Sequence, residues 1–303
     1  MPNKVLILGG TGFIGSHLSD FLHKKKWIVT AICLKKKKIL NKNYKIIKLD
    51  INNFRKTKNF LKKNSFNYIV NLSGYIDHSS FFSNKKILET HFYSVVNIIK
   101  NLDLKKLKKF VQIGSSDEYG NLLSPQHESK REMPISVYSF AKLSTAHFLQ
   151  MLSRTENFPA IILRIFLAYG PGQDMKRFLP QIINGCLKNK TFDTSKGIQL
   201  RDFCYIDDII AAIYKSLLDK KNNGEIFNVG SGKPIQIKYL INKVIKYLKS
   251  GKANFGKINY RKNESMSLYP NIFKIKKKLK WRPKISLDLG LKKTIKFYRK
   301  INA

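Results

Sequence analysis

The sequence predicts an α/β fold, a doubly wound parallel sheet with helices on both faces and a smaller C-terminal lobe. Short, continuously apolar runs alternate with stretches of helical period through the first half, the pattern of strands buried on both sides. A glycine-rich turn joins the first run to the first helical stretch. The length, 303 residues, suits one large domain or two unequal lobes.

In order, the apolar runs are Lys4–Leu8, Trp27–Cys33, Lys45–Leu49, Tyr68–Leu72, Phe110–Ile113 and Ala160–Phe166. The gaps between the first five are long enough for helical crossovers, with the clearest helical period at Ile14–Lys25 and Ile87–Leu102. Residues 169–201 read as irregular and glycine-containing. A strand–helix unit, Asp202–Leu218, and a short strand, Glu225–Val229, then rejoin the sheet. The expected division is a sheet-bearing lobe of 1–168 with 202–229, and a smaller lobe of 169–201 with 230–303.

The net charge is +39, from 58 basic and 19 acidic residues. Such a balance raises nucleic-acid binding. Binding patches cluster, however, whereas these lysines spread along the whole chain among Asn and Ile, so the charge reads as compositional and no nucleic-acid partner is expected. The charge also favours a phosphorylated substrate. The opening MPNKVLILGGTGFIG resembles a secretion signal, but glycines interrupt it and no cleavage site follows, so a cytoplasmic protein without a membrane span is expected. Cys33, Cys186 and Cys204 lack metal or redox spacing; reduced thiols and no metal are expected.

GGTGFIG places Gly9, Gly12 and Gly15 at three-residue steps between the first strand and first helix. Gly9 allows the tight turn, Gly12 the approach of a pyrophosphate, and Gly15 close helix–sheet packing. Phe13 and Ile14 open the helix and belong with them as candidate cofactor contacts. An acid closing the second strand would hold the ribose 2′-hydroxyl of NAD, whereas a cation suits the 2′-phosphate of NADP. That strand runs into Cys33-Leu34-Lys35-Lys36, so NADP(H) is favoured, with Lys35 as the contact and NAD(H) as the alternative. Asp50 closes the third strand, either to accept from the adenine amino group or to cap the next helix.

Tyr138 and Lys142, in YSFAK, share one helix face. A phenol of pKa ~10 becomes a usable acid–base group when a nearby ammonium and a cationic nicotinamide stabilise its anion. IGSSDEYG, Ile113–Gly120, ends a central strand upstream and brings Ser115, Ser116 and Asp117 to the same end of the sheet.

GGTGFIG, Asp50, GSSDEYG, YSFAK, LRIFLAYGPGQ, RDFCYIDD, FNVGSG and WRPKISLDLGL stand in the order found in extended short-chain dehydrogenases/reductases of the nucleotide-sugar epimerase/dehydratase group, which the whole chain resembles. The resemblance implies a modified Rossmann lobe, a C-terminal lobe that binds the nucleotide sugar, and Ile51, Leu72 and Ser73 as further cofactor contacts. It implies Tyr138 as the acid/base, Lys142 as the holder of the nicotinamide ribose that lowers the tyrosine pKa, and Ser115 as partner of the reacting sugar oxygen. Arg201 grips the diphosphate, with Arg261 as its second clamp. A homodimer built on the helices near Ile87–Leu102 and Val137–Ser153 is also implied.

The subfamily is read from departures. In 4,6-dehydratases Asp-Glu follows the catalytic hydroxyl; here Ser116 and Asp117 hold those places, and a serine supplies no general acid. On a strand, Glu118 would face the other way. Leu167 and His91 replace frequent asparagines, His91 being read as a packed helix residue. The expected function is NADPH-dependent reduction of a nucleotide-linked 4-keto-6-deoxy sugar in surface-polysaccharide biosynthesis, as in the CDP-abequose synthase and GDP-4-keto-6-deoxymannose reductase types. The alternatives are a 4-epimerase or 4,6-dehydratase recycling NAD, and a non-catalytic NAD(P)- or RNA-binding relative.

Overall fold

A computed structural model describes residues 2–34, 43–76, 82, 86–260 and 264–302. Six strands form in chain order: β1 Lys4–Leu8, β2 Ile28–Cys33, β3 Lys45–Lys48, β4 Tyr68–Asn71, β5 Lys109–Ser115 and β6 Ala160–Ile165. With Ile226–Val229 they make one seven-stranded sheet in the order Ile226–Val229, β6, β5, β4, β1, β2, β3, every pairing parallel. The order reverses between β1 and β4. Sheets of this kind bind ligands there, beyond the carboxyl ends of the strands.

The apolar runs are continuous because both faces are covered. Val5 and Ile7 lie under the helices α1, Phe13–Lys24, and Ile206–Leu218, while Leu6 and Leu8 face α2, Phe54–Lys63, and the helices over 94–100 and Val137–Thr155. All three cysteines are buried and free. Among the described residues, no helix is long and apolar enough to cross a membrane.

Smaller sheets stand at the carboxyl end. Leu200–Arg201 lies between Ile235–Gln236 and Ser267–Leu268, and Leu167–Tyr169 pairs with Phe203–Tyr205. The expectation of an irregular 169–201 is corrected here: Phe178–Leu187 is a helix and Thr191–Thr194 a strand paired with Lys252–Phe255. Pro180 sits in the helix's first turn, where its missing N–H has no intrahelical acceptor.

Two buried acids fasten the returning chain. Asp202, beside Arg201, accepts the backbone N–H groups of Ser231 at 2.6 Å and Lys233 at 3.1 Å. Asp208 accepts those of Lys284 at 2.8 Å and Ile285 at 3.0 Å, and its carbonyl accepts the Trp281 indole at 3.0 Å. Asp208→Ala leaves two part-buried donors unpaired. It is expected to lower the unfolding free energy in urea titrations by about 1–3 kcal/mol; an unchanged midpoint would contradict this anchoring.

Candidate active site

The first loop is set by close approach. Gly9 turns at φ +74°, and a Cβ there would lie 2.8 Å from the Leu72 carbonyl oxygen, so the ends of β1 and β4 meet at this glycine. A Cβ on Gly15 would stand 2.2 Å from the Gly9 oxygen. Gly10, absent from the three-residue reading although the GG doublet signals it, packs on Ala31: an added Cβ would come within 2.6 Å of that side chain. α1 starts at Gly12 with no side-chain cap and no acid in its first turn. Its leading N–H groups and positive end therefore suit a diphosphate.

Phe13 meets His17 edge to face at 5.5 Å, and Ile14 packs half-buried on the core. Ser73 follows Leu72 and donates its N–H to the Asn71 side chain at 3.1 Å. Ile51 is buried. The Asp50 carboxylate accepts the Asn52 N–H at 2.9 Å and does not cap α2; that cap is Asn53, which accepts from Lys56 at 3.0 Å. Lys35 and Arg261 lie outside the described residues.

At the other end, Ser136 caps the helix Val137–Thr155, accepting the Ser139 N–H at 3.1 Å. That cap makes Tyr138 the second helical residue and puts Lys142 one turn on. Lys142 Nζ donates to the Ile113 carbonyl at 2.9 Å. The Ser115 side chain stands beside the Tyr138 phenol and favours its anion. Burial, then the Asp117 carboxylate, pushes the phenol above its ordinary value, while Ser115 pulls the other way. Taken by themselves, the protein's own groups favour the neutral phenol. Burial pushes Lys142 down to about 8, with Glu118 opposing.

Ser115 ends β5, and Ser116–Tyr119 is one turn of 3₁₀-helix. The strand reading of Glu118 is thus corrected. Its carboxylate curls back to accept the Ser115 N–H at 2.7 Å while the Ser115 hydroxyl accepts the Asp117 N–H at 3.1 Å, the reciprocal exchange of a capping box. Ser-x-x-Glu was the signal for it. Glu118 is completed by Arg164, whose Nε donates at 2.7 Å, and Arg164 also pairs with Glu132; Glu132 and the arginine escaped the motif reading. Ser116 is buried in the turn. Asp117 is half-buried, and its charge is felt by both Tyr138 and Arg201.

Arg201 is buried, donates to the Leu200 carbonyl at 2.8 Å and pairs with Glu264. Burial lowers its pKa, and the Glu264 carboxylate opposes this. His91 sits on a π-helical turn, Glu89–Tyr93, its ring edge-on to Tyr138 at 5.1 Å. Its Nε2 lies 2.9 Å from the Tyr75 carbonyl oxygen, which makes Nε2 the protonated nitrogen.

The sheet order, the glycine turn and the Ser–Tyr–Lys cluster define a dinucleotide-dependent α/β enzyme acting at a carbon–oxygen centre. Residues 5–230 match the model of the NAD dependent epimerase/dehydratase family. The chain belongs to that family. A dTDP-D-glucose 4,6-dehydratase of Dictyostelium discoideum is 30% identical over 75% of this chain, which spans 58% of that longer protein. A UDP-glucuronate 4-epimerase of Thermodesulfobacterium geofontis is 27% identical over 96% of this chain and 94% of its own. The crystal structure of the UDP-glucuronic acid 4-epimerase of Bacillus cereus, in complex with UDP-glucuronic acid and NAD, superposes with a TM-score of 0.87 at 27% identity, covering 98% of this chain and 99% of that one.

Burial and the Lys142 charge push the His91 imidazole down to about 3. Nitrogen NMR across pH 5–8 is therefore expected to find His91 neutral throughout, with its proton on Nε2. A midpoint near the ordinary histidine value of ~6.5 would contradict the packing described.

Proposed function

We propose that the protein reduces a nucleotide-linked 4-keto-6-deoxy sugar with NADPH, serving surface-polysaccharide biosynthesis. The observation that carries this reading is the buried Tyr138 phenol, favoured in its neutral form and standing beside Ser115 with Lys142 one turn on. A neutral phenol is a proton donor, the role that reduction of a ketone requires.

The glycine turn fits a dinucleotide diphosphate at Gly9, Gly12 and the first N–H groups of α1. Ile51, Leu72 and Ser73 line its path, and Lys142 holds the nicotinamide ribose. A reduced nicotinamide supplies the hydride to the sugar carbon. Ser115 holds the carbonyl oxygen against Tyr138, and Tyr138 gives that oxygen its proton, so the carbonyl leaves as a hydroxyl. Cys33 and Leu34 end β2 without a carboxylate, which supports NADP(H), with Lys35 as the contact for its 2′-phosphate. Arg201, with Arg261, binds the substrate diphosphate, where planar paired donors match phosphate oxygens. Ser116 and Asp117 face the sugar.

Within this proposal the division of labour is 1–168 with 202–229 for the cofactor and 169–201 with 230–303 for the nucleotide sugar. A cytoplasmic homodimer pairs through the helices over 86–100 and Val137–Thr155, which expose Tyr93, Phe140 and Met151. A second reading, a 4-epimerase that keeps NAD, is favoured by the likeness to two 4-epimerases, one solved with NAD. Dehydration is less well supported, because Ser116 stands where those enzymes carry an acid.

The purified protein is to be incubated with NADPH and, in turn, with dTDP-, UDP-, CDP- and GDP-linked 4-keto-6-deoxy sugars. Oxidation of NADPH with at least one of them is expected, and Tyr138→Phe is expected to lower kcat by about 10²–10⁴-fold at unchanged cofactor binding. Interconversion of 4-hydroxyl epimers by tightly held NAD, without NADPH oxidation, would replace this reading with the epimerase.

A further inference from the structure

We propose that Glu118, held by Arg164, is a positioning residue of this centre, fixing the main chain at Ser115 and thereby the hydroxyl that meets Tyr138. The inference rests on the functional reading given above. Both oxygens of its fully buried carboxylate are engaged: Oε1 accepts the Ser115 N–H at 2.7 Å, and Oε2 accepts from Arg164 Nε at 2.7 Å. The Ser115 hydroxyl then accepts the Asp117 N–H at 3.1 Å. A serine hydroxyl has one proton and two lone pairs. With one lone pair assigned, its remaining capacity is directed at Tyr138.

The space for this carboxylate was made by the neighbouring residue. Gly114 pairs in register with Arg164 across β5 and β6, and a Cβ on Gly114 would lie 2.5 Å from Glu118 Oε1. Arg164 cannot be dispensed with, because a carboxylate this deep is costly unless paired. The arginine is itself fixed by the Tyr119 ring, 4.6 Å from its guanidinium carbon, and by Glu132, which His147 approaches from the surface at 3.5 Å. The pair therefore connects two strands, the turn and the loop leading to the Tyr138 helix.

The charge acts on the centre as well as the geometry. Glu118 supports the Lys142 ammonium and disfavours the Tyr138 phenolate. The other charged or titratable groups facing these two are Asp117, which opposes the phenolate, Arg177, which favours it, and His91, which is coupled to Lys142. Removing the Glu118 charge is therefore expected to lower the midpoints of both Lys142 and Tyr138, moving the pH profile to the acid side.

The test uses Glu118→Gln, and Glu118→Gln combined with Arg164→Met, because a lone glutamine amide would face the guanidinium with a donor. The first readout needs no substrate: carbon NMR of Cε-labelled lysine follows the resonance lost in Lys142→Met. Its midpoint near 8 is expected to fall by about one pH unit in both variants. The second is turnover of whichever keto sugar the wild type reduces with NADPH, where kcat is expected to fall about tenfold or more with KM within about threefold. The double variant is expected to recover thermal stability without recovering kcat. An unmoved lysine midpoint, or a kcat that returns with stability, would overturn the proposal and leave Glu118 as a brace. Absence of turnover in the wild type would sink the reductase reading alone, since the lysine titration still decides the role of Glu118.

Discussion

Lys142 donates its ammonium to the main-chain carbonyl of Ile113, and the arrangement of the centre follows from that bond. β5 outruns one of its neighbours: pairing with β4 stops at Asn71 and Gln112, while pairing with β6 continues to Ser115 and Ile165. From Ile113 onward, among the described residues, one edge of β5 has no strand beside it. The Ile113 carbonyl accepts side-chain donors there, Lys142 at 2.9 Å and the Gln112 amide at 3.0 Å. A buried carbonyl has to be paired somewhere. Here that need fastens the helix Val137–Thr155 to the strand that carries Ser115.

Once Lys142 is fixed, Tyr138 has little freedom. It lies one turn earlier on the same helix face, directly after the Ser136 cap, and must meet the end of β5. The 3₁₀ turn at Ser116–Tyr119 then matters more than a continued strand would. It halts β5 with the serine hydroxyl beside the phenol, returns Glu118 to the Ser115 backbone and leaves Asp117 close enough for its charge to act on Arg201. The glycine turn is held by equally short-range constraints, since Gly9 against Leu72 and Gly15 against Gly9 leave no room for side chains between β1, β4 and α1.

The sheet was legible because burial on both faces demands unbroken apolar runs, and Val5–Leu8 or Ile161–Ile165 can hardly be read otherwise. The helix Phe178–Leu187 was not, because the glycines of 169–201 were taken as signs of irregular chain, although Gly185 lies within the helix. Tyr138 and Lys142 were singled out by their helical spacing, and Ser115 by the resemblance that IGSSDEYG carries. Glu118 was misread because the alternation of a strand was carried past Ser115, although Ser-x-x-Glu spells a capping box in this very stretch. Arg164 had no local signal, since its partners come from two other segments: Glu118 of the turn and Glu132 of the following loop. Burial of the phenol, which raises it by desolvation, could not be read from the Tyr–Lys spacing, because it depends on how the helix packs on the end of β5.

Composition decides which side chains in such a chain carry information. With 58 basic residues and 19 acidic ones, a lysine at a given position says little, and an acid says a good deal. Glu118, Asp202 and Asp208 are all buried, and each accepts two or more hydrogen bonds at a junction: Glu118 where β5 turns, Asp202 where Arg201 meets the Ser231 loop, and Asp208 where the C-terminal segment returns to the helix Ile206–Leu218. Replacing an exposed acid in this background removes one of a few negative charges from a surface already dominated by positive ones. Replacing one of these three unpairs backbone donors, and for Glu118 it also strands a buried arginine. Glu118 differs from the other two in where it acts, because the backbone it holds is that of Ser115, beside the Tyr138 phenol.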